Sequence, residues 1–277
     1  MASYFPLMKK HENVFFSDAF YTQDDKIKLL TEHGIVNKYY GLHLYFTIKF
    51  QYAEQLMKNK ILNLSSPLAW EDPFEYIFYQ EPYNVKGKKY YIACLCMSYE
   101  SHKNEEIVWK SYDKQIDSTK IEDRMVRLSI DIEDLCYSLA KNFSYVYVKE
   151  VDYSKTRKEI ANEFKTKRNG ELSSIGDIVD MLTIKRRAFA YEKEVRIIVV
   201  SEHKITFNRN YKPVKLGKNI VHEVLLSPLS PKDFKLNVTS ECKRYHNAQD
   251  EIMNEMKSRI REYFKNSIRQ SRLYEII

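Results

Sequence analysis

The sequence predicts an α+β fold, a mixed and mostly antiparallel β-sheet with helices around it. Three observations carry that expectation. Short runs rich in β-branched and aromatic residues, such as 90–98, 192–201 and 221–226, alternate with stretches of helical apolar spacing. The alternation lacks strict βαβ regularity, which points to a mixed sheet rather than an all-parallel one. The 277 residues are 44% apolar and 14% aromatic, enough to bury a sizeable core. No linker divides the chain cleanly, so residues 1–40 are expected to form a lead-in and residues 41–277 a single domain with a C-terminal helix.

In order along the chain, residues 24–33 carry Ile27, Leu29 and Leu30 at helical spacing, stopped near Gly34. Residues 42–48 read as a strand. Ala53, Leu56, Met57 and Ile61 then recur at helical spacing, and residues 61–64 read as a short strand closed by Ser65-Ser66-Pro67. Residues 90–98 are apolar on both faces and so predict a central strand. Residues 105–112 begin a helix or turn. Residues 124–130 and 145–153 are strand candidates with a helix over 132–142 between them. A polar helix is expected within 154–176, another over 178–187, and strands over 192–201 and 221–226. Ser230-Pro231 supplies an N-cap and first-turn proline. Ile252, Met256, Ile260 and Phe264 mark one face of a long helix, and residues 273–277 are expected to return as an edge strand.

Forty-five basic residues against 38 acidic ones give a formal charge of +7, which permits an anionic partner without demanding one. The basic run Lys155, Arg157, Lys158, Lys165, Lys167 and Arg168 contains Glu159 and Glu163, so it reads as a solvated helix or a phosphate contact. Cys94, Cys96, Cys136 and Cys242 form no CxxC pair and no zinc-finger spacing with histidine, which predicts reduced thiols and no metal. The six glycines are scattered, so neither a GxGxxG turn nor a phosphate loop can be written. No hydrolase triad or HExxH pattern is present. The first residues lack a signal-peptide layout and no apolar run is long enough to span a bilayer. The expectation is a cytoplasmic protein with no membrane partner; the oligomeric state is open.

The sharpest chemistry lies in Glu192, Glu194 and Arg196. On a strand, residues two apart share a face, so the three are expected to project together with Lys185 as a further cation. Neighbouring carboxylates resist joint ionisation unless a cation intervenes. Two readings stand: a catalytic carboxylate pair, or charge pairing on an exposed strand. Asp72-Pro73-Phe74-Glu75 can be an N-cap, a first-turn proline and a capping-box partner, or can place Asp72 or Glu75 in a cleft. Trp109 and Tyr112 share a helical face, as a core plug or a stacking platform. His43 is either a satisfied structural histidine or a ligand contact.

Four segments in order resemble the domain-of-unknown-function family 2971. They are Leu42-His43-Leu44-Tyr45-Phe46-Thr47 leading to Leu62-Asn63-Leu64-Ser65-Ser66-Pro67, then Trp70-Glu71-Asp72-Pro73-Phe74-Glu75, then Ile107-Val108-Trp109-Lys110-Ser111-Tyr112, and finally Lys185 with Phe189-Ala190-Tyr191-Glu192-Lys193-Glu194-Val195-Arg196. Leu44 and Glu71 depart from the family's usual residues. The Glu-x-Glu pair is also similar to the catalytic strand of ADP-ribosyltransferases. That resemblance implies NAD as co-substrate, Glu194 as the catalytic carboxylate and Glu192 as its acceptor-side partner. It further implies His43, Tyr45, Ser65, Trp109, Tyr112 and Arg196 around the cofactor, with Asp72, Glu75 and Lys185 as substrate-side or structural residues. The function implied is an effector acting on a nucleic-acid or protein acceptor, in anti-phage defence or a toxin–antitoxin pair. The alternative is a non-catalytic nucleic-acid- or protein-binding module.

Overall fold

The computed structural model describes residues 14–15, 43–70, 72, 75, 79, 81–99, 109, 120–168, 172–226 and 240–270. The strands in chain order are β1 (Val14–Phe15), β2 (His43–Lys49), β3 (Ile61–Ser65), β4 (Tyr83–Val85), β5 (Lys88–Ser98), β6 (Met125–Asp131), β7 (Tyr145–Glu150), β8 (Glu194–Ser201), β9 (Tyr211–Lys215), β10 (Val221–Leu226) and β11 (Ser267–Gln270). The helices are α1 (Phe50–Asn59), α2 (Ile132–Ala140), α3 (Arg157–Arg168), α4 (Ile175–Met181) and α5 (Ser240–Arg261). The fold is α+β with mostly antiparallel pairing. Two compact units emerge, one drawn from Asn63–Tyr99 and Ile132–Leu216 together with β1, the other from His43–Leu62, Glu100–Asp131 and Gly217–Ile277.

In the first unit the strand order is β1-β7-β8-β5, all antiparallel, with β4 and β3 also on β5 and β9 on β3. β8 is buried at seven of its eight positions, which explains its almost unbroken Val and Ile sequence. Ile198 and Val200 face a core of Cys94, Tyr147, Ile178, Leu182 and Ile184. α4 starts at Ser174, whose hydroxyl accepts from the Asp177 amide while the Asp177 carboxylate accepts from the Ser174 amide. That capping box sets the helix over Ile175–Met181, earlier and shorter than the expected 178–187.

The second unit orders its strands β2-β6-β10-β11, antiparallel except for β10 with β11, which run parallel. α1 buries Phe50, Ala53, Leu56 and Met57, and ends because Lys60 turns left-handed at φ 56°. Ile61, which shares the helical spacing, therefore opens β3, as the strand expected over 61–64 has it. Ile252, Met256 and Ile260 line the buried face of α5, and Phe264, just past its end, is buried as well. Arg259 forks onto Glu54, Nε to Oε1 at 3.0 Å and Nη2 to Oε2 at 2.6 Å, and its guanidinium lies 5.1 Å from the Phe50 ring centroid. The expected helix over 24–33, the Ser230-Pro231 cap and the strand over 273–277 lie outside the described residues. Among the described residues no helix is long and apolar enough to cross a membrane.

Candidate functional site: a buried ion cluster at the start of β8

Arg187–Glu192 form a 3-10 helix, and Lys193 closes it in the left-handed conformation, φ 46°. The strand expected from residue 192 therefore starts at Glu194, and Glu192 is not on it. The period-two spacing of Glu192, Glu194 and Arg196 permits a strand, but Arg-Ala-Phe-Ala-Tyr-Glu contains no β-branched residue to hold one. The left-handed residue then breaks the alternation of faces.

The two glutamates meet all the same, because Lys185 stands between them. Its ammonium lies 2.6 Å from Glu192 Oε2, 3.1 Å from Glu194 Oε2 and 3.1 Å from Glu75 Oε1. Arg196 donates from Nε to Glu194 Oε1 at 2.7 Å and from Nη2 to Glu194 Oε2 at 3.2 Å. Nη2 also pairs with Glu75, and Nη1 donates to the Leu182 carbonyl at 2.6 Å. The guanidinium lies 4.0 Å from the Trp70 ring centroid. Beside this group, Arg186 Nε donates to Asp72 Oδ2 at 2.8 Å. The backbone amide of Glu75 donates to the Asp72 carbonyl, so these two residues form a turn as well as ion pairs.

The members are sealed from solvent: Arg196 is 0% exposed, Glu194 3%, Glu75 5%, and Lys185 and Glu192 8% each. Burial alone would neutralise such groups, so their partners decide their charge. For Glu194 burial pushes the carboxyl up, but Arg196 and Lys185 outweigh it and hold it well below the usual carboxylate range. For Glu192 burial wins over Lys185 and the carboxyl is raised. Lys185 is pressed down by burial and lifted further by Glu194, Glu75 and Glu192, so its ammonium is held firmly protonated. Burial and then Glu194 push the Cys96 thiol well above its ordinary value, consistent with a free thiol that stays protonated. The Glu194 amide donates to the Tyr153 hydroxyl at 3.0 Å, which pins the first residue of β8.

Of the residues singled out in the sequence, Lys185, Glu192, Glu194, Arg196 and Glu75 come together, and Asp72 adjoins them through Arg186. Ser65 lies in the same unit, where its hydroxyl donates to the Cys94 carbonyl at 3.1 Å. His43, Tyr45 and Trp109 belong to the second unit. His43 stacks on His222 with centroids 4.2 Å apart. Burial, and then His222, lower its pKa. Tyr45 is half-buried, and burial raises its phenol. Trp109 is fully buried with the Arg127 guanidinium 5.3 Å from its ring centroid, the core-plug arrangement. Tyr112 lies outside the described residues.

Ser65, Trp109 and Arg196 thus already engage partners inside the protein. Trp70, Arg186 and Tyr153 belong to the site without having been singled out. Arg186 directly follows Lys185 in the chain, and Tyr153 ends the run expected as a strand over 145–153, so both had a local signal. Nothing local tied Trp70 to Arg196. Among the described residues no group of three or more His, Cys, Asp or Glu is arranged to hold a metal ion. No protein-family model matches the chain, and neither the curated proteins nor the solved structures provide a match.

Proposed function

We propose that this chain is a non-catalytic binding module for an anionic partner, in which the ion cluster at the start of β8 is an internal tie. The reading keeps the resemblance to family 2971, which rests on the four ordered segments, and assigns their acidic and basic residues to architecture. One observation carries it. Both oxygens of Glu194 accept from Arg196, which has no exposed surface, and Lys185 takes a further share of Oε2. With the Cys96 thiol as a fourth donor, this carboxylate is engaged throughout, and releasing it would strand a guanidinium in the core. The +7 charge of the chain supplies the preference for an anion.

A second reading is favoured by one specific contrast. Glu192 shares Lys185 with Glu194 but lies before β8, on the 3-10 turn, and its carboxyl is raised while that of Glu194 is lowered. Two neighbouring carboxyls driven apart in this way are what acid–base chemistry requires, and the raised one is the better base toward an acceptor hydroxyl. On that reading the chain is an ADP-ribosyltransferase-like effector using NAD, with Glu192 as the working carboxyl and Glu194 as its anchor.

The two readings separate in one experiment. NAD consumption and thermal midpoint are measured for the native chain, Glu192→Gln and Glu194→Gln. The binding-module reading expects no NAD consumption above a protein-free control and a lowered midpoint for Glu194→Gln. NAD consumption by the native chain, abolished in Glu192→Gln with the midpoint retained, overturns it in favour of the second.

A further inference from the structure

The second unit closes one end of its sheet with a contact between two histidines. His43 is the first residue of β2 and His222 the second of β10, and both strands pair with β6, one on each side. Strands two places apart in a sheet lie about 10 Å from each other, so the two side chains reach across β6 to meet. They meet face to face, with ring centroids 4.2 Å apart and planes 13° from parallel. The backbone of β10 is irregular at this point. Val221 faces Ile130 and Glu223 faces Ser129, so two steps along β10 answer one along β6, and His222 is the extra residue of a bulge. Bulges of this kind re-aim the side chain they carry. At the same end of the sheet the Asp131 amide donates to the Ile220 carbonyl at 3.1 Å, which ties the entry to β10 to the last residue of β6. Among the described residues β11 pairs with β10 alone, so its position depends on that of β10.

The contact suits neutral rings and not charged ones. Two positive rings at this separation repel each other. His43 is half-buried, and its Nδ1 is a buried atom with no hydrogen-bond partner. A proton on that nitrogen would be a desolvated donor with nothing to accept it. Carboxylates approach from two strands, Asp131 of β6 and Glu223 of β10, and favour the charged ring, but burial and His222 outweigh them and lower His43 from the ordinary 6.5. Glu223 is already committed to β11, to Arg269 Nε at 2.6 Å and to the Ser267 hydroxyl at 3.2 Å. Tyr45, next on the His43 face of β2, has a phenol raised above its ordinary value and stays neutral. Arg127 lies two pairs further along that face of β6 and donates to Thr47 Oγ1 at 2.8 Å.

We infer that the His43–His222 stack is a pH-operated clasp, which joins β2 to β10 across β6 while both rings are neutral and opens on mild acidification, loosening the bulged start of β10 and the β11 strand paired with it. Histidine is the side chain whose ordinary titration falls in that range. His43, lowered, stabilises the closed form fully above its ordinary 6.5, and that contribution is lost as pH falls through the folded value. His222 is exposed, so its ring leaves the stack into solvent without disturbing the core. The clasp lies wholly within the second unit and is independent of the ion cluster at the start of β8.

The test is amide hydrogen exchange of the full chain at about pH 7.5 and about pH 5.5, corrected for intrinsic exchange rates and followed at Asp131. In the native chain its protection should fall by about fivefold or more between the two conditions. Combining His43→Phe with His222→Phe keeps two flat rings and removes every titrating nitrogen, so protection should be equal at both. His222→Ala removes the contact itself and should leave protection low at both. Proton NMR titration of the histidine rings gives a second reading that does not require the double variant to fold. His222→Phe, at an exposed position, removes the neighbouring charge but keeps a ring, and should raise the His43 midpoint toward 6.5. Equal protection of the native chain at the two pH values overturns the inference. So does the same loss in the double variant, which would assign the effect to other groups, or a His43 midpoint that His222→Phe leaves unmoved.

Discussion

Arg196→Met is the most informative single change in the first unit. It replaces a fully buried guanidinium with an apolar chain of similar length, leaving Lys185 as the cation facing Glu75, Glu192 and Glu194 within the cluster. Removing one side of a buried ion pair costs about 3–5 kcal/mol, because the remaining charge stays desolvated. The cation over Trp70 is worth about 2 kcal/mol in a dry setting. The Leu182 carbonyl loses its 2.6 Å donor, a further cost of about 1–3 kcal/mol. These contributions share one side chain and do not add, and the carboxyls can relax by taking up protons, so the expected loss is about 4–6 kcal/mol. Against a total stability of about 5–15 kcal/mol, that brings the unit close to unfolding. Urea denaturation followed by tryptophan fluorescence measures it, with Trp70 lying at the cluster itself. The argument makes a second demand: adding Glu194→Gln to Arg196→Met removes one stranded charge and should restore about 1–3 kcal/mol. A loss below about 1 kcal/mol for the single change, or a double variant weaker than the single one, would refute the reasoning.

Two further predictions concern pH and the second unit. Glu192 has a raised carboxyl, so its contribution to stability is complete below the ordinary carboxylate pKa and fades as pH rises through the folded value; Glu194, lowered, contributes above its unfolded pKa and is lost as pH falls through its folded one. Glu192→Gln should therefore abolish the gain in thermal midpoint on mild acidification from neutrality and keep the loss at lower pH, and identical profiles for the two proteins would count against it. Arg259→Ala breaks the fork onto Glu54 and the 2.9 Å contact with Glu122, but the side chain is 30% exposed, so the expected cost is about 1 kcal/mol, shrinking with added salt. Chemical denaturation at low and high salt checks it; a larger, salt-independent loss would assign the effect to packing on Phe50 instead.

The α+β class and most strands were legible because their residues act locally. Val221–Leu226 matches its expected bounds, and residues 90–98 announced a strand buried on both sides. The misreadings share one physical source, backbone conformations that leave no mark on hydrophobic spacing. Lys60 and Lys193 are lysines in the left-handed region, a role that glycine or asparagine would have advertised; Lys60 ends α1 just before the strand expected from Ile61, and Lys193 keeps Glu192 off the strand expected from 192. Ser267–Gln270 escaped notice because Ile268 is its one apolar residue, and its pairing with β10 is fixed by tertiary structure. For the site, Lys185, Glu192, Glu194 and Arg196 stood close together in the chain and were found. That Glu75 joins them from 121 residues before Arg196 could not be inferred from spacing.

The second unit is assembled from pieces that leave the ribosome far apart in time. α1 and β2 carry residues 43–59, whereas the helix that covers Phe50 through Arg259 is completed some 200 positions later. At translation speeds of about 5–20 residues per second, Phe50 and Glu54 wait about 10–40 seconds for Arg259 to be synthesised. In that interval α1 already has β2, β6 and the 121–123 turn to pack on, and the part of Phe50 that faces Arg259 stays uncovered. Holding chaperones should therefore act on this polypeptide during synthesis, and premature stop codons before position 252 should yield insoluble fragments rather than a smaller working protein.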